Sequence, residues 1–145
     1  MKSRNDLLAW EHNNLQLWLD GFDCAARPRV AISAGGETMT VRDFPLPDGY
    51  APDRIDIAMI VNSFPADPPK GLYILRRADN SRVIEQLQSR FNVFRDKGFH
   101  GAPSMKGFEW ICIGYLDGWT YRTDLPNKGD NIQKMLLEFW RHLEE

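Results

Sequence analysis

Two residues in the C-terminal half of the chain carry side chains suited to covalent chemistry: Cys112 and, twelve positions before it, His100. A cysteine thiolate is a nucleophile that can take over an acyl group from another thioester. Such an exchange is nearly isoenergetic, so a shallow and accessible thiol is sufficient for it. The alternative is that Cys112 is a small buried apolar residue, because its neighbours Trp110, Ile111 and Ile113 are apolar. Solvent access to the sulfur distinguishes these two interpretations.

Other site chemistries find little support in the sequence. The three histidines, at positions 12, 100 and 142, are far apart, and none stands at metal-ligand spacing from a cysteine. The pair Gly35 and Gly36 fits a hairpin turn better than a phosphate-binding loop. We therefore expect no metal and no nucleotide cofactor.

Composition predicts an ordinary globular protein with one domain spanning residues 1–145. Of its 145 residues 43% are apolar and 26% are charged, and the net charge is −2. Without a basic excess, nucleic acid is not expected as a partner. No apolar run approaches the roughly 18 residues that a membrane span needs, so no membrane partner is expected. The polar N-terminal segment is unlike a signal peptide, which predicts a cytoplasmic protein with Cys24 and Cys112 reduced.

Periodicity predicts the elements of the N-terminal half. Apolar residues at spacings of three, four and seven indicate a helix over residues 6–19, with Asn5 or Asp6 as its cap. Apolar alternation indicates strands, and the Gly35-Gly36 turn joins the first two of them into a hairpin. The predicted strands are residues 29–33, 38–44, 55–61 and 72–75. Residues 64–69, Phe-Pro-Ala-Asp-Pro-Pro, form a rigid exit from the third strand, because consecutive prolines cannot donate to a ladder.

The C-terminal half is predicted to hold two helices and one short strand. The segments are a helix at 82–94, a loop at 96–107, a strand at 110–116, a loop at 121–128 and a helix at 130–143. The last helix has an apolar stripe that includes Leu136, and Asp130 with Gln133 suggests a variant capping box. Consecutive strands with short links favour an antiparallel four-stranded meander. The predicted class is thus α+β, with the N-terminal and C-terminal helices packed on the sheet.

The order of motifs in this chain resembles the core of ubiquitin-conjugating enzymes. The segment at 64–69 is similar to the family's proline-rich exit from the third strand. Residues 107–113, Gly-Phe-Glu-Trp-Ile-Cys-Ile, are similar to its cysteine-bearing stretch, with one extra residue after the glycine. Trp119, seven residues after Cys112, and the closing helix complete the pattern. The resemblance covers about residues 29–143, with residues 78–99 as an insertion.

Within this superfamily the chain resembles the bacterial branch, whose members are short and work beside ubiquitin-like proteins. Residues 46–50, Leu-Pro-Asp-Gly-Tyr, are similar to the Leu-Pro-x-Gly-Tyr opening of one bacterial group. His100 stands where the family has the histidine of a His-Pro-Asn tripeptide, but Gly101 and Ala102 replace the proline and asparagine. In this chain, therefore, no residue of the motif itself can take the asparagine's role near the oxyanion.

The resemblance implies a carrier that accepts a ubiquitin-like protein as a thioester on Cys112 and passes it to an acceptor. Cys112 and His100 are then the catalytic residues. The implied partners are a ubiquitin-like protein and a separate adenylating enzyme, which performs the activation, so this chain needs no bound cofactor. The alternative is a non-catalytic binding module of the same fold, since some groups of the branch lack the catalytic cysteine.

Overall fold

The computed structural model describes residues 2–113 and 118–145, which form three helices and six strands. The elements are α1 (Arg4–Leu19), β1 (Arg29–Ile32), β2 (Thr38–Pro45), β3 (Arg54–Ile60), β4 (Leu72–Leu75), α2 (Ser81–Gln88), β5 (Val93–Arg95), β6 (Phe108–Ile111) and α3 (Ile132–Glu144). The predicted α+β class is confirmed. In the part of the chain that the structure describes, no helix is long and apolar enough to cross a membrane.

All six strands join one antiparallel sheet in the order β1-β2-β3-β4-β6-β5. The first four strands are neighbours in chain order, as predicted, but the sheet has six strands rather than four. The helix predicted over residues 82–94 ends at Gln88, and Val93–Arg95 is a strand instead. Val93 and Phe94 pair with Ile111 and Trp110 of β6, and this pairing overrides their helix-compatible spacing. The predicted strand over 110–116 is observed as Phe108–Ile111, and residues 114–117 lie outside the described residues.

The main core lies between one face of the sheet and all three helices. Along β3, Ile55, Ile57 and Met59 point into it, and Leu136 of α3 is fully buried there. α1, α2 and α3 each contribute apolar residues to the same core cluster. The predicted helix stripes are therefore buried on the sheet, and we call this side the helix face.

The opposite face of the sheet carries a second, smaller apolar cluster. Its buried members are Ala58, Tyr73, Trp110 and Ala102, with Ile60, Met105, Phe108 and Cys112 partly buried beside them. Ala102 and Met105 belong to the loop at 96–107, which covers this side without helix or strand. We call this side the outer face and these residues the outer cluster.

The caps of the terminal helices differ from the predicted ones. Ser3 is the N-cap of α1, and it forms a capping box with Asp6. Asn131 rather than Asp130 caps α3, and its side chain accepts a hydrogen bond from the backbone N–H of Lys134. In both cases the cap lies one or more residues from the predicted position, because the chain enters the helix where tertiary contacts fix it.

Candidate functional site

Cys112 directly follows β6, and its side chain belongs to the outer face. Ile111 is fully buried in the main core, so the alternation of the strand turns Cys112 to the other side. The thiol is half-buried and packs against the outer cluster. The sulfur is thus neither a member of the main core nor fully exposed.

The residue directly opposite Cys112 is Asn92, just before β5. The backbone N–H of Cys112 donates to the carbonyl of Asn92 at 3.2 Å, which continues the register of Val93 with Ile111 and of Phe94 with Trp110. Opposed residues of an antiparallel pair have Cβ atoms about 4.5–5.5 Å apart and side chains on one face. This register puts the exposed Asn92 on the outer face of the sheet, across from Cys112.

Sequence reasoning missed Asn92 because it assigned this residue to a helix. No local signal marks it, since its position relative to Cys112 depends on the pairing of β5 with β6. The two paired strands are separated in sequence by the loop at 96–107, and the periodicity of a single segment does not predict which distant segment it pairs with.

His100 lies in this loop, as predicted, and is exposed. It has a positive φ of 57°, and its ring centroid lies 6.2 Å from that of Trp110. Cys112 belongs to the cluster built around the same tryptophan. His100 thus borders the outer cluster through Trp110, and within the described residues no hydrogen bond joins its imidazole to the thiol of Cys112.

Trp110 is a buried member of the outer cluster, and the backbone just before β4 holds its indole in place. Its Nε1–H donates to the carbonyl of Lys70 at 2.8 Å. Gly71 makes this approach feasible: its φ is +82°, and a Cβ there would lie 2.5 Å from the indole Nε1. A glycine before β4 is therefore required for Trp110 to support the cysteine side of the sheet.

Hydrogen bonds and an ion pair hold the loop at 96–107 in its middle and at both of its ends. The hydroxyl of Tyr73 donates to the carbonyl of Pro103 at 2.5 Å, and burial raises the pKa of this phenol to about 12. Asp96 accepts from the backbone N–H of Gly107 at 2.7 Å and pairs with Arg76 at 2.9 Å. These bonds, the one to Gly107 foremost, hold the pKa of Asp96 below its usual range. The loop that carries His100 is thus positioned by the sheet.

The other motif segments pack against the main core on the helix face. Trp119 donates its indole N–H to the carbonyl of Pro65 at 2.9 Å and stacks on Tyr121 with ring centroids 6.0 Å apart. Tyr50 of the 46–50 segment donates to the carbonyl of Leu143 at 2.8 Å. Tyr50, Trp119 and Tyr121 pack against the main core, and none of them belongs to the outer cluster.

One buried carboxyl lies away from this site. Glu11 of α1 is fully buried, and its Oε1 accepts the backbone N–H of Ile132 at the start of α3, at 2.9 Å. Burial raises the pKa of Glu11 to about 7, although the bond from Ile132 opposes this rise. Among residues 2–113 and 118–145, no group of three or more histidine, cysteine or acidic side chains is placed to hold a metal ion.

Comparisons with protein-family models, with curated proteins and with solved structures found no match. A half-buried thiol at the end of a strand, an amide opposite it and an imidazole on the neighbouring loop can support acyl transfer, with the thiolate as nucleophile.

Proposed function

We propose that this chain is a ubiquitin-conjugating-like carrier, which accepts a ubiquitin-like protein as a thioester on Cys112 and transfers it to an acceptor. The observation that carries the proposal is the position of Cys112. It lies at the end of β6 on the outer face, beside rather than inside the helix-covered core. A partly exposed thiol on this face can be approached by a second protein, whereas a thiol on the side of Ile111 would be enclosed by the helix-covered core.

The arrangement of the first four strands also supports the proposal. β1 to β4 are consecutive neighbours, and the terminal helices cover one face of them, which is the layout that the family resemblance implies. Two strands are added to this frame. β6 precedes the cysteine, and β5 arises from the segment that the resemblance treats as an insertion.

The proposed loading step exchanges one thioester for another. The Cys112 thiolate attacks the thioester carbonyl of the donor, a carbon–sulfur bond to Sγ forms, and the carbon–sulfur bond to the donor thiol breaks. The donor thiolate leaves and takes up the proton that Cys112 has lost. Activation by adenylation belongs to a separate enzyme, so this chain supplies only the acceptor thiol and its surroundings.

The transfer step needs a polar group near the carbonyl oxygen, where negative charge develops when an acceptor amine attacks. Asn92 is our candidate for this group, because its exposed amide stands opposite Cys112 in the strand register. His100 is our candidate for the group that assists the amine, since it borders the same cluster. Replacing either residue by alanine is expected to slow transfer more than loading.

The experiment that tests this proposal is incubation with a ubiquitin-like protein, its adenylating enzyme and ATP, followed by a non-reducing gel. We expect a thiol-labile adduct on the wild-type chain. Cys112→Ser should give a thiol-resistant oxyester or no adduct, and Cys24→Ser is the matched control that should retain it. An adduct that persists on Cys112→Ser and remains thiol-labile would place the chemistry elsewhere.

A non-catalytic binding module of the same fold is the second candidate. The packing of the partly buried Cys112 against apolar residues of the outer cluster favours it, because such packing is typical of a structural cysteine. This candidate predicts that the ubiquitin-like protein binds without any covalent adduct, with unchanged affinity for Cys112→Ser.

A further inference from the structure

β5 is an edge strand, and no other strand in the described part of the chain pairs with its outer side. Asn92 accepts from the backbone N–H of Cys112, and the backbone N–H of Asp96 donates to the carbonyl of Phe108. These bonds fix which residues of β5 face β6, so the backbone groups of Val93 and Arg95, between them, point away from the sheet. Within the described residues, these outward groups have no hydrogen-bond partner.

The opposite edge of the sheet is closed by α1. The backbone N–H of Val30 in β1 donates to the side chain of Gln16 at 2.9 Å, and its carbonyl bonds the ring of His12 at 2.9 Å. Gln16 also donates to the carbonyl of Pro28. Edge strands with unpaired backbone groups invite pairing by another chain, and proteins commonly cover them. Here α1 covers one edge, whereas no hydrogen bond from residues 2–113 or 118–145 covers the outer side of the edge nearest Cys112.

We propose that the open edge of β5 binds the extended C-terminal tail of the protein that acylates Cys112, as a seventh strand antiparallel to β5. This inference rests on the proposed function, because it names how the partner is held at the same site. Strand addition supplies backbone hydrogen bonds without demanding a particular tail sequence. The outward groups of Val93 and Arg95 are the ones that the tail would use.

The direction of the strands supports this occupant. β6 ends at the Cys112 side of the sheet, and β5 runs antiparallel to β6. A tail antiparallel to β5 therefore runs parallel to β6, and its C-terminal end arrives at the side where Cys112 lies. A tail in the reverse orientation would bring its carboxyl group to the far end, near Arg95.

The distances are compatible with this placement. Adjacent strands lie about 4.8 Å apart, so the tail would be separated from β6 by about 10 Å, with β5 between them. A strand residue spans about 3.3 Å, so about three residues beyond the paired segment can cross Asn92 and reach the sulfur. Small residues at the end of the tail would make this crossing easier, since Asn92 and Cys112 share the face that it must cross.

The test uses two synthetic thioesters of mercaptoethanesulfonate as probes, on the Cys24→Ser background. One is the hexapeptide acetyl-Thr-Val-Thr-Val-Gly-Gly, which is long enough to pair with β5, and the other is acetyl-Gly-Gly, which is not. The rate of acylation of Cys112 is followed by intact mass. We expect the hexapeptide to react about tenfold faster, because two or three net hydrogen bonds favour its binding.

Two matched variants isolate the edge. Arg95→Pro removes an outward N–H that β6 does not use, and it should reduce the hexapeptide rate to within about twofold of the dipeptide rate. Arg95→Gln removes the same charge but keeps the N–H, and it should retain the advantage. With three residues left to reach the sulfur, the two threonines are the ones that pair with Arg95 and Val93, so a hexapeptide N-methylated at both threonines should lose the advantage on the wild-type edge.

The outcomes separate this inference from the proposed function. If both probes acylate Cys112 at equal rates, or if Arg95→Pro and Arg95→Gln behave alike, the edge does not bind the tail while Cys112 remains an acyl acceptor. If neither probe acylates Cys112, the proposed function fails, and the inference that rests on it fails too.

Discussion

The two faces of the sheet differ in what covers them. The helix face is covered by α1, α2 and α3 and holds fully buried residues such as Leu136 and Ile111. Among the described residues, the loop at 96–107 packs on the outer face, and the cluster there includes the partly buried Cys112. We therefore expect the helix face to contribute most of the stability, and our proposal assigns the partner to the outer face.

The largest effect is expected on the helix face. Leu136 is fully buried, so Leu136→Ala should lower the free energy of unfolding by about 2–5 kcal/mol, through lost burial and a residual cavity. Urea denaturation measures the change. A loss below about 0.5 kcal/mol would mean that this face is not the stabilising one.

The second prediction concerns the carboxyl buried in the same layer. The folded-state pKa of Glu11 is about 7, above its ordinary value of 4.5, so the folded state holds its proton more tightly than the unfolded state. The wild type should therefore lose stability as the pH rises from about 4.5 to about 7, by about 3 kcal/mol, and little more above that.

The matched variant is Glu11→Gln, whose carbonyl can still accept from Ile132 but which does not ionise. The stability of the variant relative to the wild type should increase over the same pH range. Urea midpoints at pH 5 and pH 8 measure it, and a pH-independent difference would show that Glu11 does not titrate in the folded protein in this range.

A smaller effect is expected where the outer face holds its loop. Tyr73→Phe removes the bond to the carbonyl of Pro103 and should cost about 1 kcal/mol. It should also increase amide hydrogen exchange in residues 96–107. Unchanged exchange there would indicate that other contacts, such as the pairing of Arg76 with Asp96, suffice to hold the loop.

The smallest stability change is expected at the site itself. Cys112 is half-buried, so Cys112→Ala should change the free energy of unfolding by less than about 1 kcal/mol. A thermal or urea transition measures it, with Leu136→Ala as the contrasting variant. A loss as large as that of Leu136→Ala would make Cys112 a structural residue and would favour the binding module.

The elements that depend on local pattern could be predicted from the sequence. The stripes of α1 and α3 and the alternation of β1 to β4 are visible in single segments, and their positions are confirmed within a few residues. β5 could not be predicted, because Val93 and Phe94 become a strand only by pairing with residues about seventeen positions away. The cap of α3 is Asn131 rather than Asp130, and the start of this helix is also held by a long-range bond from the backbone N–H of Ile132 to Glu11 of α1.

For the candidate site, likewise, residue types could be proposed from the local sequence, but the pairing around them could not. Cys112 and His100 carry recognisable side chains in a recognisable order, whereas Asn92 gains its place only from the β5–β6 register. The open edge at Val93 and Arg95 likewise follows from the order of strands in the sheet. The positions of Asn92 and of the outer edge of β5 depend on long-range strand pairing, which the local sequence pattern does not specify.

The most direct test of the central claim is to locate the acyl group after loading with a ubiquitin-like protein, its adenylating enzyme and ATP. The loaded chain is digested at low pH, which preserves thioesters, and the mass of each cysteine-containing peptide shows which thiol carries the acyl group. Cys24 serves as the internal control for Cys112. The account predicts the C-terminal fragment of the ubiquitin-like protein on the Cys112 peptide, with Cys24 unmodified. Acylation of Cys24, or recovery of both cysteines unmodified from a partner that binds, would contradict it.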